Sequence, residues 1–194
     1  MDCAHLDEAV AAARSGDGPA FARLWTELSP RVAAYLRAHG VAEADDVTSE
    51  VFLAVFRQMA GFEGGGDAFR ALVFTVAHRR QVDWHRQRVR RGPWLPLEEA
   101  GPGPVVESAE STALGVLSTE GVLEVLATLT PDQRAVLALR VVADLSLEET
   151  AAVLGKDVGS VKSLQHRALA RLRREISPKP YPRDVLARLK PRHA

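Results

Sequence analysis

The chain has 194 residues, of which 46% are hydrophobic and 26% are charged, and its 25 basic and 25 acidic residues cancel. This composition is that of a folded globular protein, and the length allows one medium domain or two small ones. The single cysteine, Cys3, excludes an internal disulfide framework and a cysteine-rich zinc site. The N-terminus is acidic and no apolar run approaches about 18 residues, so we expect a cytoplasmic protein without a membrane span.

Apolar residues recur at intervals of three and four from Leu6 to Phe62, which predicts helices near residues 4–15, 18–38 and 45–60. Glycines 64–66 mark a loop, and a long helix is predicted to begin near Asp67. Residues 92–119 are rich in Pro, Gly, Ser, Ala and Glu, a composition that does not bury enough surface to hold a fold. We therefore expect an all-α protein in which two small helical domains are joined by a flexible acidic linker.

The domain boundaries follow from this pattern. The first domain is predicted at residues 1–91, the linker at 92–119, the second domain at 120–175, and a basic, proline-rich tail at 176–194.

The zero net charge hides two basic segments. Residues 68–91 contain seven arginines and one acid, Asp83, whereas residues 156–174 contain six basic residues and one acid, Asp157. One such segment alone is better explained as a solvated helix face. Two of them on one chain indicate a nucleic-acid-binding protein with two contact sites.

The second domain has the pattern of a helix-turn-helix. Capping boxes at residues 130–133 and 146–149 start two helices, Gly155 allows a tight turn, and Ser160 is expected to cap a final helix that reaches about Arg174. One face of that final helix is predicted to be buried through Val161, Leu164, Ala168 and Leu172. The opposite face, where a recognition helix meets base edges, presents Lys162, Ser163, His166 and Arg167. A helical hairpin with a basic solvated face has the same short pattern.

Longer stretches of the chain resemble the bacterial sigma-70 superfamily, and in particular its small extracytoplasmic-function group. Residues 129–140 (LTPDQRAVLALR), 145–155 (LSLEETAAVLG) and 159–163 (GSVKS) are similar to region four of that family. Residues 45–56 (DDVTSEVFLAVF) resemble the polymerase-docking helix of region two, and residues 69–86 (FRALVFTVAHRRQVDWHR) resemble its promoter-contacting helix.

The resemblance implies a sigma factor that binds core RNA polymerase, recognises the minus-thirty-five and minus-ten elements of promoter DNA, and promotes transcription initiation. It implies no catalysis, cofactor or metal. Many relatives are held inactive by an anti-sigma protein, which is a further expected partner.

Carried over position by position, the resemblance gives three sets of site residues. The polymerase-binding set is Asp45, Asp46, Ser49, Glu50 and Phe52. The minus-ten set is Phe62, Arg79, Gln81, His85, Arg86 and Arg88. The minus-thirty-five set is Ser160, Lys162, Ser163, His166, Arg167 and Arg171. Asp83 lies four residues after Arg79 and is expected to pair with it on the helix surface.

Other interpretations remain open. His78, Asp83 and His85 suggest a metal or nuclease site, although Asp83 points away from the two histidines on a helix. A helix-turn-helix regulator with a sensing N-terminal domain would bind DNA without polymerase. The acidic linker is equally well explained as a nucleic-acid mimic in the RNA path of the polymerase and as a solvated tether.

Overall fold

A computed structural model describes residues 3–91 and 119–176 of the chain. The N-terminal part contains α1 (Cys3–Arg14), α2 (Gly18–Ala38), α3 (Ala44–Arg57), a 3₁₀ turn (Met59–Gly61) and α4 (Gly66–Arg91). The C-terminal part contains α5 (Thr119–Ala127), α6 (Pro131–Val141), α7 (Leu147–Leu154) and α8 (Val158–Ile176). Every regular element in these described residues is helical, which confirms the all-α prediction. Apart from Thr119 and Ile176, the predicted linker and tail lie outside the described residues.

The four N-terminal helices pack around an apolar core, because each has an apolar face. On α2 the fully buried apolar residues recur every four positions, with Tyr35 beside the last of them: Ala20, Leu24, Leu28, Val32, Tyr35 and Leu36. From α4 the same core receives Phe69, Val73, Phe74 and Ala77. Burying a large apolar side chain contributes roughly 1.5–3 kcal/mol relative to leaving it exposed, so this face determines how α4 is oriented.

Both capping boxes of the C-terminal part are present as predicted. The Thr130 hydroxyl accepts from the Gln133 amide at 3.3 Å, and the Ser146 hydroxyl accepts from the Glu149 amide at 3.0 Å. Gly155 has a φ of 62°, which places it in the left-handed region and makes the turn between α7 and α8. The local sequence therefore fixes where α6 and α7 begin and where α7 ends.

The two parts of the chain contact each other along a surface that we call the domain seam, where α7 lies against α4 and α6 against α2. Leu139 and Leu145 belong to the same buried cluster as Leu36 and Phe74. The promoter-contacting helix expected from the sequence, α4, thus lies directly beside the helix-turn-helix. No helix in the described part of the chain is long and apolar enough to cross a membrane.

Candidate nucleic-acid interface

α8 has one buried and one exposed face, as its sequence predicts. Val161 and Ala168 are fully buried, and Leu164 and Leu172 are partly buried against neighbouring helices. The opposite face is exposed and carries the four side chains expected to contact bases: Lys162, Ser163, His166 and Arg167. The helix-turn-helix therefore presents a continuous polar and basic surface to solvent.

The start of α8 differs from the prediction. The side chain of Asp157 caps the helix: it accepts from the Ser160 amide at 2.8 Å and from the Ser160 hydroxyl at 2.6 Å. These hydrogen bonds from Ser160 lower the pKa of the Asp157 carboxyl, since they favour its ionised form. The expectation that Ser160 itself caps α8 is wrong, because the helix begins two residues earlier, at Val158.

The basic side chains of α8 differ in how accessible they are. Arg167 is exposed, and its Nε donates to the Ser163 carbonyl at 3.3 Å. No hydrogen bond or ion pair within the described residues involves its two terminal amino groups. Arg171, one turn further on, is partly buried, and its Nε has no hydrogen-bond partner among the described residues. Arg167 is therefore better placed than Arg171 for an outside acceptor.

α4 presents a second basic face, on which Arg79 and Arg86, seven residues apart, are exposed. Arg88 is also exposed, but on the opposite side of the helix, near its C-terminal end. Asp83 lies 3.8 Å from Arg86 Nη1, three residues further along the helix. The expected pairing of Asp83 with Arg79 is therefore wrong, because the (i, i+3) neighbour occupies the carboxylate instead. Arg79 keeps an exposed guanidinium on this face.

Two further residues expected to contact the minus-ten element are less accessible. Gln81 is only 8% exposed, since it follows Ala77 by four residues on the buried face of α4. Phe62 is half-buried, with its ring 5.7 Å from that of Phe69 in an edge-to-face arrangement. In this arrangement of the two domains, Gln81 does not present its amide to DNA.

The middle of α4 is held by a polar cluster next to the domain seam. Tyr35 Oη lies 2.9 Å from His78 Nδ1, and His39 Nδ1 donates to the Tyr35 carbonyl at 2.7 Å. Burial lowers the pKa of His78 and lowers that of His39 to about 4. Asp132 and Lys156 of the C-terminal part act on His78 in opposite directions, the acid raising its pKa and the base lowering it. Both histidines are therefore neutral near pH 7.

The C-terminal half of α4 is attached to the loop between α2 and α3. Trp84 Nε1 donates to Glu43 Oε2 at 2.9 Å, and His85 Nε2 donates to the His39 carbonyl at 2.9 Å. The Arg88 guanidinium carbon lies 5.3 Å from the centroid of the Trp84 ring. His85, expected to contact DNA, thus has one ring nitrogen committed to the protein backbone, whereas Arg88 lies over an aromatic face.

α3 has an acidic exposed face, with Asp45, Asp46, Ser49 and Glu50 all open to solvent. Two of its carboxylates have partners within the chain: Arg37 Nη2 lies 2.7 Å from Asp45 Oδ1, and Arg80 Nη1 lies 3.5 Å from Glu50 Oε2. The Ser49 hydroxyl donates back to the Asp45 carbonyl at 3.1 Å.

Phe52, expected among the polymerase-binding residues, is 1% exposed and lies in the core. Its position on α3 faces the other helices of the bundle, so it supports α3 from inside and is not part of the exposed acidic face.

Comparisons with known proteins identify the family of the chain. The family model "Sigma-70 region 2" matches residues 24–91, and "Sigma-70, region 4" matches residues 119–172. The chain is 38% identical over 187 residues to the ECF RNA polymerase sigma factor SigD of Mycobacterium tuberculosis, a match that covers 91% of this chain and 86% of SigD. The chain belongs to the extracytoplasmic-function sigma factors. It is a sigma factor that recognises promoters and initiates transcription by RNA polymerase.

Two further similarities support the membership. The sigma factor is 35% identical over 175 residues to BldN of Streptomyces coelicolor, an ECF RNA polymerase sigma factor, and this match covers 89% of the chain and 66% of BldN. Among solved structures, it resembles CnrH in complex with the cytosolic domain of CnrY. That match has a TM-score of 0.64 and 26% identity, and covers 88% of this chain and 96% of CnrH.

Sequence reasoning missed two apolar residues of the sigma factor's surface. Trp25 on α2 is 38% exposed and Leu53 on α3 is 57% exposed. The Trp25 ring lies 4.8 Å from that of Phe52 in an edge-to-face arrangement, so it continues the core to the surface beside the acidic face of α3. Trp25 lies far from the docking motif in sequence, and only packing of α2 on α3 reveals it.

The alternative of a metal or nuclease site on α4 finds no geometric support. His78 contacts Tyr35, His85 contacts a backbone carbonyl, and Asp83 is exposed beside Arg86. Within residues 3–91 and 119–176, no three His, Cys, Asp or Glu side chains come together in a way that could hold a metal ion.

Proposed function

We propose that this sigma factor contacts the two promoter elements through separate helices, α8 at the minus-thirty-five element and α4 at the minus-ten element. The observation that carries the proposal is the presence of two exposed basic helix faces on one chain, one centred on Arg167 of α8 and the other on Arg79 and Arg86 of α4. We further propose that residues 1–91 and 120–175 are the two functional domains.

At the upstream element, α8 enters the major groove with its N-terminal half. Lys162 and Arg167 donate to acceptors on guanine, whereas Ser163 contacts either a base edge or a phosphate. The amide groups in the first turn of α8 add partial positive charge near the DNA backbone, and the Asp157 carboxylate offsets part of it. Specificity therefore depends on the two long basic side chains more than on the helix terminus.

At the downstream element, α4 provides a cationic track for the backbone of one separated strand. Arg79 and Arg86 are exposed on one side of α4, Arg88 is exposed near its C-terminal end, and Phe62 precedes its N-terminal end as a candidate stacking partner for a base. Binding of this kind weakens steeply with salt, because phosphate contacts release condensed counterions.

We propose that the docking surface for core polymerase is the acidic face of α3, with Leu53 one turn beyond Ser49 and Glu50, together with the exposed Trp25, whose ring packs on Phe52. Carboxylates on this surface steer and orient a basic partner, while the exposed indole and leucine provide apolar area. Asp46 has no ion-pair partner among the described residues, so its carboxylate is available to the polymerase.

We also propose a protein inhibitor as a partner, because the solved structure of CnrH contains the cytosolic domain of a second protein, CnrY. For this chain such a partner would be an anti-sigma protein. We place the sigma factor in the cytoplasm, where polymerase and promoters are, and assign no catalytic step to the chain itself.

The test is run-off transcription with purified core polymerase. We expect promoter-specific transcripts only when this chain and the core enzyme are both present, and loss of those transcripts when Arg167 and Arg79 are both replaced by alanine. Specific DNA binding without any requirement for core would instead support a helix-turn-helix regulator. Cleavage of the DNA would support a nuclease, and either result would contradict the proposal.

A further inference from the structure

We infer that Glu43 is a positioning residue for contact with the minus-ten strand: its carboxylate fixes the indole of Trp84, and the indole holds Arg88 in the place where that arginine meets DNA. The inference rests on the proposed role of α4.

Glu43 occupies a position where its side chain has no local task. It is the N-cap residue of α3, with φ −91° and ψ 47°, yet its side chain makes no capping hydrogen bond. N-caps are normally short polar residues whose oxygen reaches the first turn of their own helix. Here the carboxylate instead accepts from Trp84 Nε1 at 2.9 Å, across 41 residues of sequence. The side chain therefore connects the start of α3 to α4.

A second hydrogen bond from the same loop restrains the neighbouring residue of α4. The His39 carbonyl accepts from His85 Nε2 at 2.9 Å, and the rings of Trp84 and His85 lie 5.0 Å apart at 87°. Two consecutive side chains of α4 are thus attached to one short loop. The Trp84 ring cannot rotate away without losing its bond to Glu43.

Arg88 lies one helical turn beyond Trp84, with its guanidinium carbon 5.3 Å from the centroid of the indole. The electron-rich ring face attracts this cation, while the rest of the Arg88 side chain remains exposed. A long side chain that is already held in place loses less conformational freedom when it binds a phosphate or base. Fixing the ring therefore fixes the cation that the DNA meets.

A carboxylate near a DNA-binding face has an opposing effect, because it repels phosphates. Glutamine at position 43 separates the two effects: its amide oxygen still accepts from the indole, but the charge is gone. Positioning predicts that Glu43→Gln binds DNA at least as well as wild type and that Glu43→Ala binds it less well. Repulsion alone predicts tighter binding by both variants.

The experiment uses the full chain bound to core polymerase. The probe is a fluorescent single-stranded DNA with the minus-ten sequence of a start site mapped with the wild-type holoenzyme. Fluorescence anisotropy gives the dissociation constant for Glu43→Ala, Glu43→Gln, Arg88→Ala and the double variant of Glu43→Ala with Arg88→Ala. Glu8→Ala, which removes an exposed acid on α1, is the matched charge control.

We expect Glu43→Ala to weaken binding by about two- to fivefold, the range of an exposed cation–π interaction. In the Arg88→Ala background it should cause no further loss, because there is no cation left to position. Additive losses, unchanged binding by Glu43→Ala, or tighter binding by both Glu43 variants would each overturn the inference while leaving the proposed function intact. A wild-type holoenzyme without promoter-specific binding would overturn the proposed function, and this inference with it.

Discussion

Arg37 holds Asp45 through a single nitrogen: its Nη2 lies 2.7 Å from one carboxylate oxygen and 2.8 Å from the other. Asp45 begins the acidic face that we propose for docking to polymerase, so a basic partner must compete with a cation from within the chain. Both side chains are substantially exposed, at 48% for Arg37 and 79% for Asp45, and exposed pairs of this kind contribute only about 0–1 kcal/mol to stability. The pair therefore matters more for docking than for folding.

Replacing Arg37 by alanine should strengthen docking. The Arg37→Ala variant releases Asp45 and removes a cation that faces a basic partner, so we expect core polymerase to bind about two- to fivefold more tightly at low salt. The free energy of unfolding should change by less than about 0.5 kcal/mol. Fluorescence titration of core polymerase at two salt concentrations measures the first effect, and urea denaturation measures the second.

Arg14→Ala serves as the control, because Arg14 is also an exposed arginine and lies at the end of α1. If Arg37→Ala weakens docking more than Arg14→Ala does, Arg37 itself supports docking and the competition proposed for Asp45 is wrong.

The stability of the fold should fall in mild acid because of His39. Its Nδ1 donates to the Tyr35 carbonyl, so a second proton would have to sit on Nε2, which is buried without a partner among the described residues. Burial lowers the pKa of His39 from 6.5 to about 4. The hydrogen bond to Tyr35 acts against this shift, and the charge of Arg134 adds to it. The unfolded chain therefore binds more protons than the folded chain between these values. The stability that neutral His39 gives the fold is fully present above pH 6.5 and is lost as the pH falls towards 4. The free energy of unfolding then falls by at most on the order of 3 kcal/mol.

Urea denaturation at pH 7.5 and pH 5 measures this loss. The His39→Gln variant keeps a donor for the Tyr35 carbonyl but does not titrate, so its midpoint should fall less than that of wild type between the two pH values. An identical fall in both proteins would assign the pH dependence to other groups, such as His78, whose pKa is also lowered by burial.

Gln81 provides a probe of whether the buried face of α4 becomes accessible. It is 8% exposed and follows Ala77 by four residues on that face. If the packing around this face opens when the sigma factor binds polymerase and promoter, a cysteine at position 81 should become accessible. In a Cys3→Ala background, Gln81→Cys should react slowly with a thiol reagent in the free protein and much faster in the holoenzyme. Ser15→Cys, exposed on the turn after α1, should react rapidly in both. Slow reaction at position 81 in both states would mean that Gln81 has no part in DNA recognition.

Local features were predictable from the sequence because they depend on neighbours along the chain. The spacing of Val161 and Ala168 predicted the buried face of α8, and the capping boxes predicted the starts of α6 and α7. The mistake at Ser160 was also local: Asp157 precedes it by three residues and is itself a good N-cap residue, which accepts from the Ser160 amide.

Contacts between distant elements were not predictable, because periodicity determines which face of a helix is buried but not what it meets. Nothing in the sequence near Glu43 indicates Trp84, and nothing near Glu50 indicates Arg80. The family resemblance placed Gln81 among the minus-ten residues, whereas the packing of α4 buries it. The site residues whose exposure was predicted wrongly are therefore those that pack against another helix.

Arg167 is the best test of base recognition by α8, because it is exposed and its terminal amino groups have no partner in the described part of the chain. If it donates two hydrogen bonds to a guanine, Arg167→Ala should reduce binding to the cognate minus-thirty-five element by about 1–3 kcal/mol. Binding to unrelated DNA should change much less, since that binding depends on phosphate contacts. Electrophoretic mobility shifts of the holoenzyme on matched and scrambled minus-thirty-five elements measure both affinities.

Arg173 is the matched comparison, an exposed arginine in the last turn of the same helix. At that end of α8 it is further from the base edges and better placed for a phosphate, so Arg173→Ala should weaken both DNAs by a similar factor. It should also reduce the slope of log affinity against log salt concentration by about one, the value expected for the loss of one phosphate contact. Equal losses on both DNAs for Arg167→Ala would place Arg167 with the phosphate-binding residues and leave Lys162 and Ser163 as the side chains that discriminate bases.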